Sequence, residues 1–318
     1  MSIVIVIPCL NEEAMLPGLL ESLARENPDC PIVVADGRSS DRSREIVRTA
    51  ALRHPHVHLL DNPDQLQSAG VNRAVEQFGA GRDWLVRIDA HCDYPPDYVA
   101  RLIATARDRD ATSVVVPMVS VGTQCFQKAA ATAQNSRLGT GGSAHRHVGQ
   151  GAWVEHGHHA LMSLDLFRSV GGYRADMSHN EDAELDHRLS KAGARIWLEP
   201  SLVLGYHSRN SPGELWRQYF AYGKGRARTV MLHRLRPKLR QLLPIAVPLA
   251  AILALVGPFW WPTAVPLALW MTLCLSAGAV IGWRAGGRCR LLAGVAAAIM
   301  HLAWGAGFLT QAIGQKSD

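Results

Sequence analysis

Residues 84–95 read WLVRIDAHCDYP. An apolar run, Trp84, Leu85, Val86 and Ile88, ends abruptly in Asp89, Ala90, His91, Cys92 and Asp93. A buried strand that delivers acidic and imidazole groups at its carboxyl end is how open α/β sheets build ligand sites. Asp89 and His91 stand two residues apart, a spacing that turns both side chains to one side of a strand end. A carboxylate and an imidazole converging there suit a divalent cation, and a cation suits a diphosphate.

The stretches around it repeat the theme. Residues 3–7 are a continuous β-branched run closed by Pro8, the pattern of a fully buried parallel strand. Asn11 is placed to cap a helix that carries Leu16, Leu19, Leu20 and Leu23 at helical spacing. Residues 31–35 and 57–60 read as two more buried strands. The first runs into a polar turn from Asp36 to Ser43, where Asp41 or Ser40 caps a helix bearing Ile46 and Val47. Helices are expected over 66–78 and 97–107, and strands over 112–118, 160–164, 194–198 and 202–206, with a short helix at 165–170. Alternating strands and helices imply right-handed crossovers and a mostly parallel, Rossmann-like α/β sheet. Its carboxyl ends would gather Pro8, Asp36 and Asp89. Residues 139–151, GTGGSAHRHVGQG, hold no periodic element and read as a loop, or functionally as a lid over donor or acceptor. Asn180 would cap a helix with Glu181 and Asp182 in its first turn, where the helix dipole favours acids. The histidines of VEHGHHAL (His156, His158 and His159) read as structural. Alternate strand residues face opposite ways, and no thiol or carboxylate set completes a metal site.

The 318 residues carry a net charge of +6, unevenly spread. No Asp, Glu, Lys or Arg occurs between Gln241 and Trp283, nor between Leu291 and Gly314. Charge-free apolar runs of about 18 residues or more are candidate membrane spans, here three of them, about 242–261, 263–283 and 291–313. The preceding segment interleaves Trp216, Tyr219 and Phe220 with Arg217, Lys224, Arg226, Arg228 and further cations. With spans following at once, this favours an amphipathic helix on an anionic leaflet over a nucleic-acid surface. The expected organisation is therefore a cytosolic domain over 1–212, an interfacial segment over 213–240 and a transmembrane region over 241–318. The amino terminus reads as a strand, because its apolar part is short and lacks a basic start. Six cysteines without paired spacing read as reduced thiols and no zinc site.

Five motifs, in order, resemble family 2 glycosyltransferases of the membrane-anchored bacterial exopolysaccharide branch: IPCLNEE at 7–13, VADGRSSDRS at 34–43, RIDAHCDYP at 87–95, NEDAELDHRL at 180–189 and, more loosely, RQYFAYGKGR at 217–226. The likeness covers roughly residues 1–230. It is closest to glucosyltransferases that extend a polyprenyl-diphosphate-linked sugar in succinoglycan-type assembly. The resemblance implies an A-type glycosyltransferase domain in the bacterial inner membrane, a UDP-sugar donor, a divalent cation (Mn²⁺ or Mg²⁺), a lipid-linked saccharide acceptor and exopolysaccharide assembly partners. By the same resemblance, Pro8, Asn11 and Glu12 line the nucleotide end of the donor pocket and Asp36 hydrogen-bonds the uracil. Asp89 and His91 hold the metal-diphosphate, with His207 as a further contact. Asp182, with Glu181 beside it, removes the acceptor hydroxyl's proton. Arg217 and Arg226 steady the diphosphate near the membrane. His91 stands where the family usually has a second Asp, which tilts the expected metal toward manganese.

The chemistry agrees independently. Inverting transfer needs a base opposite the leaving diphosphate and a cation to stabilise that leaving group. Two other readings stay open: a transferase that loads sugar directly onto polyprenyl phosphate, which needs no Asp182-type base, and a catalytically silent membrane scaffold. The cations before the first span and Arg284, Arg288 and Arg290 after the second put residues 1–240 in the cytosol and the carboxyl terminus outside. With three spans, a reporter that is active only in the cytosol, fused after Asp318, should therefore stay silent; activity would overturn either the orientation or the number of spans.

Overall fold

The structure, a computed structural model, describes residues 2–142 and 149–314. The chain divides into two compact units, Met1–Met118 with Val148–Leu204, and Val119–His147 with Gly205–Asp318.

The first unit opens with β1 (Ile3–Cys9), α1 (Leu16–Glu26), β2 (Ile32–Asp36), α2 (Ser43–Arg53), β3 (Val57–Asp61), α3 (Gln67–Phe78), β4 (Trp84–Arg87), the short β5 (Cys92–Asp93), α4 (Tyr98–Arg109) and β6 (Ser113–Val116). After β7 (Met118–Val121) and the helices α5 (Cys125–Gln134) and α6 (Arg137–Thr140), the chain returns with β8 (Ala152–Trp153), β9 (His158–Ser163), α7 (Leu164–Ser169), α8 (Glu181–Lys191) and β10 (Ile196–Leu198). Eight strands form one sheet in the order β3-β2-β1-β4-β9-β6-β10-β8. The β-branched strands β1 and β2 are buried almost throughout, as strands covered on both faces must be. β1 is parallel to both β2 and β4, and β2 to β3. The chain winds outward from β1 through β2 to β3, then crosses to β1's other side at β4. That reversal leaves a crevice at the carboxyl ends of β1 and β4, where such sheets bind ligands. Val71, Ala74 and Val75 of α3 and Leu185 and Leu189 of α8 pack with Val4, Val6 and Val33 of the sheet.

Several local expectations change. β9 runs antiparallel to β4 and β6, so the sheet is mixed although mostly parallel. β4 stops at Arg87, which leaves Asp89 and His91 in the turn beyond the strand. The pairing of β1 with β4 ends at Val6↔Arg87, so Pro8, which lacks an N–H, faces a side where no ladder bond is needed. Asn11 does not cap α1, whose N-cap is Met15. Asn11 adopts a left-handed backbone instead (φ 57°) and accepts a hydrogen bond from Ser40 N at 2.8 Å. Asn180 does stand at the N-cap of α8, again left-handed and without a side-chain cap bond. The strand expected over 112–118 is interrupted at Pro117, between β6 and β7. Of the loop 139–151, residues 143–148 lie outside the described residues.

The second unit contains β11 (Leu204–His207) at its border, α9 (Pro212–Leu232), α10 (Leu239–Ala254), α11 (Val265–Ala285) and α12 (Ala293–Gly314). Its core is alanine-rich, with Ala293, Ala296, Ala297, Met300 and Ala303 of α12 packed on Leu215 and Tyr219 of α9. Small residues let these helices approach closely, as membrane-embedded helices do. A Cβ on Gly278 of α11 would overlap the backbone of Gly294, and one on Gly223 of α9 the carbonyl of Trp304.

Among the described residues, two helical stretches are long and apolar enough to cross a membrane, Trp261–Ala285 and Arg288–Gly314. The first span expected, 242–261, is instead the 16-residue α10. At 1.5 Å per residue α10 extends only about 24 Å, short of the roughly 30 Å hydrocarbon core. Pro244 and Pro248 inside it also remove helix hydrogen bonds. Leu269, Leu273 and Val280 of α11 stay exposed, as do Phe259, Trp260 and Trp283 near its ends.

The reading of six reduced cysteines is corrected too. Cys125 and Cys289 form a disulfide, while Cys9, Cys30, Cys92 and Cys274 are free. Spacing along the chain carries no sign of a pair 164 residues apart. Protein unfolded without reductant is expected to titrate four thiols, rising to six after reduction; six in both cases would mean that the pair is not bonded.

Candidate functional site

The site is built on a charge in the middle of the sheet. Arg87 ends β4, and only 4% of its side chain is exposed. An unpaired guanidinium there would be prohibitively costly. It is surrounded by acceptors. Its Nε and Nη2 donate to Asp89 Oδ1 at 3.3 and 3.2 Å, and its Nη1 donates to Tyr173 Oη at 3.0 Å and, in a very short contact, to Asp182 Oδ1. Tyr173 Oη in turn donates to Asp182 Oδ1 at 3.0 Å. Both contacts of Asp182 fall on Oδ1, and Oδ2 takes no hydrogen bond from a described residue. Arg87 thus joins the acid after β4 to the acid in the first turn of α8.

Asp89 is further held from outside the strand. Its N–H donates to Tyr94 Oη at 2.7 Å, and His158 Nε2 lies 3.4 Å from its Oδ2. His91, half-exposed, places Nδ1 3.1 Å from Glu12 Oε1. Glu12 is fixed by its own N–H, which donates to Ser43 Oγ at 2.9 Å. One donor atom each from Asp89, His91 and Cys92 lies within 4.8 Å of the others. A carboxylate oxygen, an imidazole nitrogen and a thiol sulfur offer donors for a divalent cation, with a second carboxylate on that imidazole. Cys92 enters this cluster although only Asp89 and His91 were expected from this segment.

Asp36 lies at the end of β2, 1% exposed, and its carboxylate is already engaged. Arg44 Nη1 reaches Oδ2 at 2.6 Å and also Asp61 at 3.0 Å, and Ser39 N donates to Asp36 at 3.2 Å. With Asn11 bonded to Ser39 and Ser40, these contacts brace the turn after β2 against the turn after β1. His207, Arg217 and Arg226 belong to the second unit. His207 ends β11, Arg217 is exposed on α9, and Arg226 lies nine residues further along the same helix, its guanidinium pushed below its ordinary value by burial and by Arg240.

The histidines of 156–159 do have carboxylate partners. Asp186, buried to 1% exposure, lies 2.6 Å from His156 Nδ1 and 2.9 Å from His159 Nε2, while His158 turns the other way to Asp89. Adjacent strand residues face opposite sides, so one β9 segment serves two acids. The acids were hidden because one sits a helical turn beyond Asp182, the other some 70 positions before β9. Arg87 itself also went unread, although a charged residue inside an apolar strand run is a signal that it has a buried partner.

Electrostatics separates the two acids of α8. Burial pushes the Asp182 carboxyl up, but Arg87, then His159 and His158, outweigh it and hold it below its ordinary value. Glu181 lacks such a partner. Burial, then the adjacent Asp182 charge, raise it to about 8. Asp89 is held low in the same way as Asp182, Arg87 and His158 outweighing its burial.

Comparison with known proteins adds the following. A sequence profile described as Glycosyl transferase family 2 matches residues 4–171. The succinoglycan biosynthesis protein ExoA of Rhizobium meliloti (strain 1021) is 51% identical over 312 residues, 96% of this chain and 94% of that protein. The mannosyltransferase PcManGT from Pyrobaculum calidifontis, solved with GDP-Man and Mn²⁺, superposes with a TM-score of 0.59 at 18% identity, covering 98% of this chain and 86% of its own. S. aureus TarS 1–349 with UDP-GlcNAc gives 0.50 at 14% identity, covering 99% and 92%. At such identities the two structures share the fold alone.

Two measurements test this electrostatic frame. Arg87→Leu strands two carboxylates and should cost about 3–5 kcal/mol of stability, the usual loss when one partner of a buried pair is removed; a loss under 1 kcal/mol would show that the acids are solvated. Glu181 binds its proton more tightly when folded. Stability should therefore fall as pH rises from its unfolded value, about 4.3, to about 8. Glu181→Gln should flatten melting temperature against pH across that window; an unchanged slope would remove the shift.

Proposed function

Because the chain belongs to glycosyl transferase family 2, we propose that it is an inverting hexosyltransferase. On this reading it moves a sugar, glucose foremost, from a UDP-sugar to a lipid-linked saccharide at the membrane surface during exopolysaccharide synthesis. The observation that carries the reading is the single guanidinium of Arg87 holding both Asp89, beside the cation-binding turn, and Asp182, in the first turn of α8. The 51% identity to a succinoglycan biosynthesis protein supports the exopolysaccharide setting. Apolar surfaces on α10 and α11 support the membrane setting.

On this reading each candidate residue takes a role. Pro8, Asn11 and Glu12 form the wall of the nucleotide pocket, and Asp36 holds the turn that meets the base. Asp89 and His91, with Cys92 beside them, would hold a divalent cation. That cation, Mn²⁺ before Mg²⁺, would stabilise negative charge on the departing diphosphate. Asp182 is ionised at neutral pH because Arg87 keeps its basicity low, and its free Oδ2 accepts the proton of the acceptor hydroxyl. The hydroxyl oxygen forms its bond to the anomeric carbon as the bond to the diphosphate breaks. Glu181, still largely protonated at neutral pH, adds no second negative charge beside Asp182. Arg217 and Arg226 on α9 would meet the diphosphate of the lipid-linked acceptor.

Asp182→Asn keeps the shape but cannot take the proton. Transfer should fall by roughly 10²–10⁴-fold with UDP affinity retained, while Ser190→Ala, on the exposed side of α8, leaves both alone. Transfer at the parent rate would remove Asp182 as base and favour direct loading of polyprenyl phosphate. For the cation, titration of UDP should give tighter binding in Mn²⁺ than in EDTA, and equal affinity would remove it.

A further inference from the structure

The second unit carries sixteen Lys and Arg residues and two acids, Glu214 and Asp318. Inside this unit lies a cavity of about 480 Å³, made by β7, α5, the end of α11 and the turn before α12. Its size falls within the roughly 300–1,000 Å³ of small-molecule sites. Lys128 of α5 and Arg290 of the 288–292 turn both line it, and no carboxylate does. Arg290 donates to the carbonyl of Ala285 at 3.2 Å, which neutralises none of its charge. Lys128 is exposed and forms no ion pair among the described residues.

The cavity also has a built polar wall. Ser120, 3% exposed, lines it, and its buried Oγ has no hydrogen-bond partner among the described residues. Asn135 holds the Ser120 backbone at both polar groups: Ser120 N donates to Asn135 Oδ1 and Asn135 Nδ2 donates to the Ser120 carbonyl, each at 2.8 Å. A buried hydroxyl without a partner beside two cations and no acid asks for an anion with several acceptor oxygens. The disulfide fixes the pair of cations, since Cys125 lies one turn before Lys128 on α5 and Cys289 adjoins Arg290.

We propose that this cavity binds the phosphate headgroup of an anionic glycerophospholipid. The lipid source, rather than free phosphate, follows from the rest of the lining. Ile281 and Ala285 belong to the last turns of α11, a helix long and apolar enough to cross a membrane. Trp283 beside them is 75% exposed, and Arg284 and Arg288 follow. Tryptophan and cations mark the headgroup level of a bilayer, and Val280, Leu273 and Leu269 offer an exposed apolar track for acyl chains. The assignment rests on the membrane placement proposed above.

The test uses the full chain. Flotation with phosphatidylcholine vesicles, with and without phosphatidylglycerol, reads membrane placement. Native mass spectrometry of detergent-purified protein with phosphatidylglycerol, phosphatidylcholine or inorganic phosphate reads the cavity. Phosphatidylglycerol is expected to be retained as one tight adduct and phosphatidylcholine more weakly. Lys128→Gln, an exposed side chain whose loss leaves the fold intact, should weaken phosphatidylglycerol about fivefold, and Lys128→Gln with Arg290→Gln about thirtyfold, at ~1 kcal/mol per cation. Arg236→Gln, away from the cavity, should change nothing. Unchanged retention in Lys128→Gln, an equal loss in Arg236→Gln, or displacement of the lipid by an equal concentration of inorganic phosphate would each overturn the assignment. Protein that floats with no vesicle overturns the membrane placement and this site together, whereas flotation with unaltered headgroup retention overturns this site alone.

Discussion

The geometry of the candidate centre depends on one buried cation. Arg87 is the last residue of a central strand, and Asp89 and Asp182 are both held by its guanidinium. Water cannot solvate it there, so the protein must supply acceptors, and Asp89, Asp182 and Tyr173 do so from three different segments. The same requirement sets the chemistry. A carboxylate in direct contact with a guanidinium is held low even when largely buried, whereas Glu181, one residue away and without that contact, is pushed up to about 8. A cation held by Asp89 would compete with Arg87 for the same carboxylate. On the proposed roles, cation occupancy at Asp89 and the basicity of Asp182 would be linked through one side chain.

Much of this was legible in the amino-acid order. The apolar run ending in Asp89 and His91, the β-branched run before Pro8 and the strand before Asp36 place three strand ends at one edge, and the sheet does the same. Partners were not legible. Asp182 lies 95 positions after Arg87, and pairing across that distance is a property of packing rather than of local pattern. The direction of β9 was hidden for the same reason: its composition is that of a buried strand, and antiparallel pairing with β4 and β6 is decided by its neighbours. The shortened first span is different. Pro244 and Pro248 were visible in the sequence, and their effect on helix length was outweighed by the absence of charge across the segment.

The two units satisfy their interiors by opposite means. In the first, bulky β-branched and aromatic side chains fill the space between sheet and helices, and buried charges such as Arg87 and Asp186 are paired. In the second, alanine and glycine bring helix backbones so near that side chains occupy little of the interface. The apolar bulk is carried on the outside instead, on Leu249, Ile252, Leu269 and Leu273. That is the inverse of the usual soluble arrangement, and it suits surroundings in which hydrocarbon, not water, is the outer phase.

The bond between Cys125 and Cys289 closes a covalent ring that contains more than half of the chain. A protease that cuts once anywhere inside this ring, in the glycine-rich stretch around 141 or in the 233–238 linker after α9, produces two pieces that remain a single molecule. A gel run without reductant would show nicked protein as uncut in mass, and cleavage would become visible only after reduction. Loss of backbone continuity and loss of molecular integrity are thus separate events in this protein.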